Sequence, residues 1–252
     1  MKKVFCIIIL IMNGLFIYSQ TKIKDVYEFP IKPGTEEWSK FETIEERIAA
    51  LQIPDDVLAN ISTEGLLETC LEFPYLTDVL FYDNYQLGFE ALMAEFNGFR
   101  ELLNRSNLTY VLLEKYQSLT TEVSDIRLQK DVEQGRFTFR HFVLEFMLAQ
   151  DVVLKNLSKE QEKQLFLLSF KHMEIKRENS DIFGNLNDLP TNLLYAKKIM
   201  TDSEFRIESD EMKKRLLDFI QAPLVIDQQI IGQIEDYSNY SGQICKYFSA
   251  HR

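Results

Sequence analysis

Residues 43–74 read TIEERIAALQIPDDVLANISTEGLLETCLEFP, and three helix starts are packed into them. Thr43, followed three residues later by Glu46, forms a capping box ahead of Ile44, Ile48 and Leu51. Pro54 suits the first position of a second helix through Val57, Leu58 and Ile61, because an amide hydrogen there would lack a partner anyway. Ser62-Thr63-Glu64 starts a third, with Leu66, Leu67, Cys70 and Leu71 at helical spacing, and Pro74 stops it. Helices this short are marginal alone and must bury their apolar stripes against one another. The stretch therefore predicts an all-α chain: an array of short antiparallel helices, either a HEAT-like solenoid or an irregular helical bundle. No fixed period of roughly 30 to 45 residues recurs, so the array reading rests on helix length.

The same pattern continues outward. Residues 78–96 place Leu80, Phe81, Leu87, Leu92, Met93 and Phe96 at helical positions, and Asn97-Gly98 reads as a tight reversal before Phe99, Leu102 and Leu103. Asn107 opens a helix carrying Tyr110, Leu113 and Tyr116, and Gly135 reads as a break before an apolar helix over 137–154. Ser158 with Gln161 is a second capping box, leading into Leu165, Leu168, His172 and Ile175. Three helices are expected near 191–200, 209–220 and 223–248, and no alternating run is long enough for a strand. Residues 179–190 are the longest polar stretch and mark a joint. The resulting map has an export signal over 1–19, an irregular lead-in over 20–41 and a helical array over 42–178. After the break at 179–190, helices over 191–252 are expected to pack on the same array.

The signal reading comes from order. Lys2 and Lys3 precede an apolar run over 4–18, and the small Ser19 closes it ahead of Gln20 and Thr21. That run is shorter than the roughly 20 residues of a comfortable membrane span, so cleavage and export are expected rather than anchoring. The mature chain is expected in the periplasm, at the cell surface or outside the cell.

Composition then limits the partners. With 46% hydrophobic and 27% charged residues, only 9 Gly and 6 Pro, the chain suits a globular core rather than disorder. The formal charge is −11, and loss of Lys2 and Lys3 deepens it by two. Such a surface repels phosphate polymers, which excludes nucleic acid, and no basic amphipathic helix suggests anionic lipid. Cys70 and Cys245 remain after cleavage. In an oxidising compartment they pair, closing a loop worth about 4–5 kcal/mol, or they are two separately buried thiols. Five Asn-X-Ser/Thr triplets, at Asn60, Asn104, Asn107, Asn156 and Asn239, mostly sit at expected helix boundaries and read as caps.

One block resembles a known group. Glu37-Trp38, Ile53-Pro54-Asp55-Asp56-Val57-Leu58, the run from Ser62 through Phe73-Pro74-Tyr75-Leu76-Thr77-Asp78, and Phe96-Asn97-Gly98-Phe99-Arg100-Glu101-Leu102-Leu103-Asn104-Arg105 carry it. They resemble a family of exported helical proteins of Bacteroides-like and clostridial bacteria. The likeness spans roughly residues 35 to 115. It implies a bacterial, extracytoplasmic setting and carries over no catalytic residue.

Candidates for chemistry are few. His141 and Glu145 stand four apart on a helix, a spacing that can present two ligands to one ion, but HExxH is absent and apolar neighbours point to a histidine at the margin of a core. His172 shares an apolar stripe and reads as packed, while His251 lies at the terminus. Hence no metal and no cofactor are expected. The acidic pairs Asp78 with Asp83 and Glu235 with Asp236 offer acid–base work only if a cleft brings them together. Aromatics crowd residues 73–89, where Phe81, Tyr85 and Phe89 fall on one helical face and read as core. Around them Tyr75, Asp78, Tyr82, Asp83 and Asn84 are the candidate binding residues. The expected function is a protein-binding scaffold of the envelope. The alternative is a carboxylate-dependent glycan or peptide hydrolase working in an interhelical cleft.

Overall fold

The computed structural model describes residues 25–184, 188–224 and 227–250, with side chains omitted for 242–250. The expected signal over 1–19 and the side chain of Cys245 lie outside the described residues. The helices are α1 (Ile44–Ala50), α2 (Asp55–Asn60), α3 (Thr63–Leu71), α4 (Tyr85–Glu95), α5 (Asn97–Asn104), α6 (Leu108–Ile126) and α7 (Asp131–Leu148). They continue with α8 (Asp151–Leu154), α9 (Lys159–Glu178), α10 (Ser180–Phe183), α11 (Leu189–Thr201), α12 (Asp210–Gln221) and α13 (Gln228–Ala250). Two 3-10 turns, Trp38–Lys40 before α1 and Leu76–Phe81 between α3 and α4, accompany them. The fold is all-α, and no described residue is in a strand. No helix among the described residues is long and apolar enough to cross a membrane.

Local signals place several helix starts. Both capping boxes form: Thr43 accepts from the Glu46 amide and Ser158 from the Gln161 amide, each answered by the reciprocal side-chain bond. Ser62 caps α3, Asn84 caps α4 and Ser209 caps α12. The glycosylation-like asparagines behave differently. Asn60 and Asn156 donate back to the carbonyls of Asp56 and Val152, and Asn107 accepts from the Thr63 hydroxyl, so none of these three caps a helix start with its side chain.

The lead-in is pinned to α3. The Ser62 amide and hydroxyl both donate to Asp25, the Tyr27 amide donates to Thr69 Oγ1, and Phe29 is buried against Phe73 and Phe96. Two local expectations are corrected. Asn97-Gly98 is not a tight turn: Phe96 is the extended pivot between α4 and α5, and Asn97 begins α5. The Asn97 side chain takes the place of a backbone partner for Ile53, accepting from its amide at 3.0 Å and donating to its carbonyl at 2.8 Å. Gly135 does not break the chain either. It lies inside α7 with open space where a Cβ would point, and the packing of the rest of α7 outweighs its poor helix propensity.

One buried apolar cluster runs from Phe29 to Tyr237. At its middle α7 meets α3, α6, α8, α10 and α11, while α6 also packs on α9, and α11 on α12 and α13. That is more neighbours than a regular two-helix repeat gives one helix, so the packing is that of an irregular bundle. Cys70 is a free thiol, fully buried, and its burial pushes its pKa well up.

Candidate functional site

Two places stand apart from ordinary core and surface. The first is charged and lies where α6, α7, α9 and α11 converge. On α9 the buried stripe is Leu165, Ser169, His172 and Lys176, so a lysine ends an otherwise interior row. On α7 the stripe from Phe137 to Leu148 carries His141 and Glu145. Glu145 and Lys176 are each 3% exposed and both imidazoles 0%, which means the whole group is out of water.

Charges this deep persist only when paired and fully hydrogen-bonded. Glu145 meets that demand. Lys176 Nζ donates to its Oε2 at 2.5 Å and the Thr191 hydroxyl donates to the same oxygen at 3.1 Å, while the Tyr116 hydroxyl donates to Oε1 at 2.7 Å. Lys176 also donates to Thr191 Oγ1 at 3.1 Å. Burial alone would raise the Glu145 carboxyl, but the Lys176 ammonium holds it far below the usual carboxylate range. Burial and Glu145 push the Tyr116 phenol well up.

The two histidines are neutral. Burial lowers both, His172 to about 3. Tyr116 stacks on His172 at 3.8 Å between ring centres and 10° between planes, and His141 meets His172 edge-on at 4.7 Å. His172 Nε2 lies 2.8 Å from the Tyr116 carbonyl oxygen. A carbonyl only accepts, so the hydrogen is on Nε2. His141, expected at the margin of the core, is thus at its centre. His141, Glu145 and His172 present ligand-type atoms all within 4.8 Å of one another, although no metal was expected. Tyr116, Lys176 and Thr191 were missed. The available signal was a second polar pair at i, i+4, His172 with Lys176, matching His141 with Glu145.

The second place is the segment expected to bind. Phe81 is not core: it is 83% exposed, whereas Tyr85 and Phe89 are buried. The 3-10 turn Leu76–Phe81 ends at Phe81 and the chain is irregular over 82–84, so Phe81 and Tyr85 do not share a helix face. Leu80, Tyr82 and Leu87 are also exposed, at 40 to 49%. Of the candidate residues, Tyr82 and Asp83 are exposed on this turn, while Asn84 is used as the cap of α4. Tyr75 packs half-buried against Trp38 and Phe73. Asp78 has Glu95, not Asp83, as its acidic neighbour: burial raises both carboxyls, and Asp78 raises Glu95 further. Gly88 is needed beneath the turn, because a Cβ there would lie 2.5 Å from the Val79 carbonyl oxygen.

Glu235 and Asp236 line a cavity of about 420 Å³ between α12 and α13, together with Glu208 and Glu211. All four carboxylates are exposed. Acid–base pairs separate their roles through unequal burial, which four exposed acids do not provide. Compared with family models, with curated proteins and with solved structures, the chain finds no match in any of the three.

Proposed function

We propose that this chain is an exported helical scaffold that binds another protein of the envelope or cell exterior, the extracytoplasmic setting being what the resemblance over residues 35 to 115 implies. The observation that supports this reading is the exposed apolar turn Leu80-Phe81-Tyr82, extended by Leu87 at the start of α4. Large apolar side chains clustered on a surface and rimmed by polar groups are characteristic of contact sites. The turn is also held in place, by Gly88 beneath it and by Leu76 and Val79 in the core, so little ordering entropy is lost on binding. Its acidic margin completes the description of the partner. Asp78 and Glu95 repel each other, and a lysine or arginine from a partner relieves that repulsion. The partner therefore offers an apolar pocket with a basic rim, and Phe81 is the anchor that fills it.

A photo-crosslinking residue at position 81, in the exporting cell, tests this against the same residue at exposed Lys40. One discrete protein adduct at 81, lost in Asp78→Asn/Glu95→Gln and absent at 40, is the expected result. Once the partner is identified, Phe81→Ala should weaken binding about tenfold or more. Indistinguishable adducts at 81 and 40, or none, reject the binding turn. The hydrolase alternative keeps only the exposed acids between α12 and α13.

A further inference from the structure

We propose that His141, Glu145 and His172 form a structural binding site for a first-row divalent cation of the zinc type, in the core between α7 and α9. The separations come first. Two donors on a tetrahedral zinc lie about 3.3 Å apart, given metal–ligand bonds near 2.0–2.1 Å. His141 Nε2 and Glu145 Oε1 are 3.4 Å apart, matching that spacing and not a well-formed hydrogen bond. The third donor comes from the neighbouring helix, within 4.8 Å of the other two, a gap that its ring must narrow to share one ion with them.

Next comes the state of each donor. His172 donates from Nε2 to the Tyr116 carbonyl, so its Nδ1 carries a lone pair, and that atom is buried with no hydrogen-bond partner. A backbone carbonyl fixing the tautomer of a ligating histidine is the usual arrangement around protein-bound metals. Among the described residues, neither ring nitrogen of His141 has a hydrogen-bond partner, and that ring is 0% exposed. Three orphaned nitrogens within one charged cluster are rare in a folded core, and a bound cation is a physical reason for two of them, His141 Nε2 and His172 Nδ1. Glu145 is already ionised. Lys176 and Thr191 occupy its Oε2, so Oε1 is the oxygen facing His141, with the Tyr116 hydroxyl on the same atom as a fourth donor at hand.

Two nitrogens and one carboxylate suit zinc, cobalt or nickel and not calcium or magnesium, which need more oxygens. With every donor sealed from solvent, the cation tightens the bundle rather than activating water. Lys176 is the opposing influence, because its ammonium competes for the same carboxylate.

The test uses protein purified without a histidine tag, stripped by chelator in denaturant, and refolded with zinc or cobalt. Wild type is expected to retain about one equivalent, to show cobalt d–d absorption, and at free zinc about a hundred times its Kd to gain about 5–10 °C in Tm. His141→Leu/His172→Leu, which keeps an apolar filling, is expected to fold by circular dichroism and to lose all three signals. Lys176→Met is expected to bind zinc more tightly than wild type, since zinc replaces the lost ammonium beside Glu145. Metal content and Tm response in wild type no greater than in the double leucine variant overturn the site. So does a Lys176→Met protein whose zinc affinity falls.

Discussion

At the scale of single residues, the decisive interaction is the Glu145–Lys176 pair. Transferring either ion alone into the core costs several kcal/mol, which the partner together with the Tyr116 and Thr191 hydroxyls helps to offset. The two single truncations and the double should therefore be strongly non-additive. With chelator present, Glu145→Leu leaves the Lys176 ammonium without its counter-ion and is expected to cost about 3–5 kcal/mol. Glu145→Leu/Lys176→Met removes both charges at similar volume, and its stability should return to within about 1–2 kcal/mol of wild type. Urea midpoints of the two singles and the double measure the cycle. Additive losses would show that each residue acts through its own packing and not through the pair. The residue scale also explains why this cluster was only half legible. His141 and Glu145 announce themselves by spacing on one helix, but Lys176 pairs across 31 residues of sequence, and nothing local marks a lysine as buried.

At the scale of elements, helix starts were readable because a cap is a contact between residues three apart. The Thr43–Glu46 and Ser158–Gln161 boxes form as their sequences imply. Misreadings came where tertiary packing decides. Phe81 keeps helical spacing with Tyr85 and Phe89 only if one helix carries all three, and the break at 82–84 ends that register. Gly135 has poor propensity, yet α7 runs through it: Asp131 and Glu133 favour the first turn electrostatically, and the buried row from Phe137 onward holds the rest. That tension is measurable. The Gly135 Cβ position is open to solvent in a helical backbone, so Gly135→Ala meets no clash and limits the freedom of the unfolded chain. The substitution should stabilise the protein by about 0.5–1 kcal/mol, read as a higher urea midpoint with an unchanged slope. A lower midpoint would mean that α7 bends at Gly135 in solution.

At the scale of the whole molecule, an acidic chain with a formal charge of −11 keeps its helices together partly by placing cations at the joints between them. Glu68 on α3 shows how. It faces Lys115 on α6 at 2.8 Å and pairs with Arg140 on α7, which also reaches Glu72 at 2.9 Å, so one carboxylate links three helices. Burial would raise the Glu68 pKa, but Lys115 and Arg140 outweigh it and hold the carboxyl below its ordinary 4.5. The sign follows from linkage. A group whose folded pKa is depressed adds stability above its unfolded value, and that contribution disappears as pH falls through the folded one. Wild type at pH 7 should thus exceed Glu68→Gln by about 1–3 kcal/mol, reduced somewhat because the cations are partly exposed to solvent screening. The difference should shrink as pH falls below 4.5 and vanish below the folded value, where wild type carries a neutral Glu68 as well. Denaturant unfolding of both proteins at neutral and acid pH isolates this one group, since every other titration is common to the pair. A gap that stays constant with pH would assign the cost to lost hydrogen-bond geometry alone. A gap that closes on acidification would show the α3–α6–α7 joint to be electrostatic.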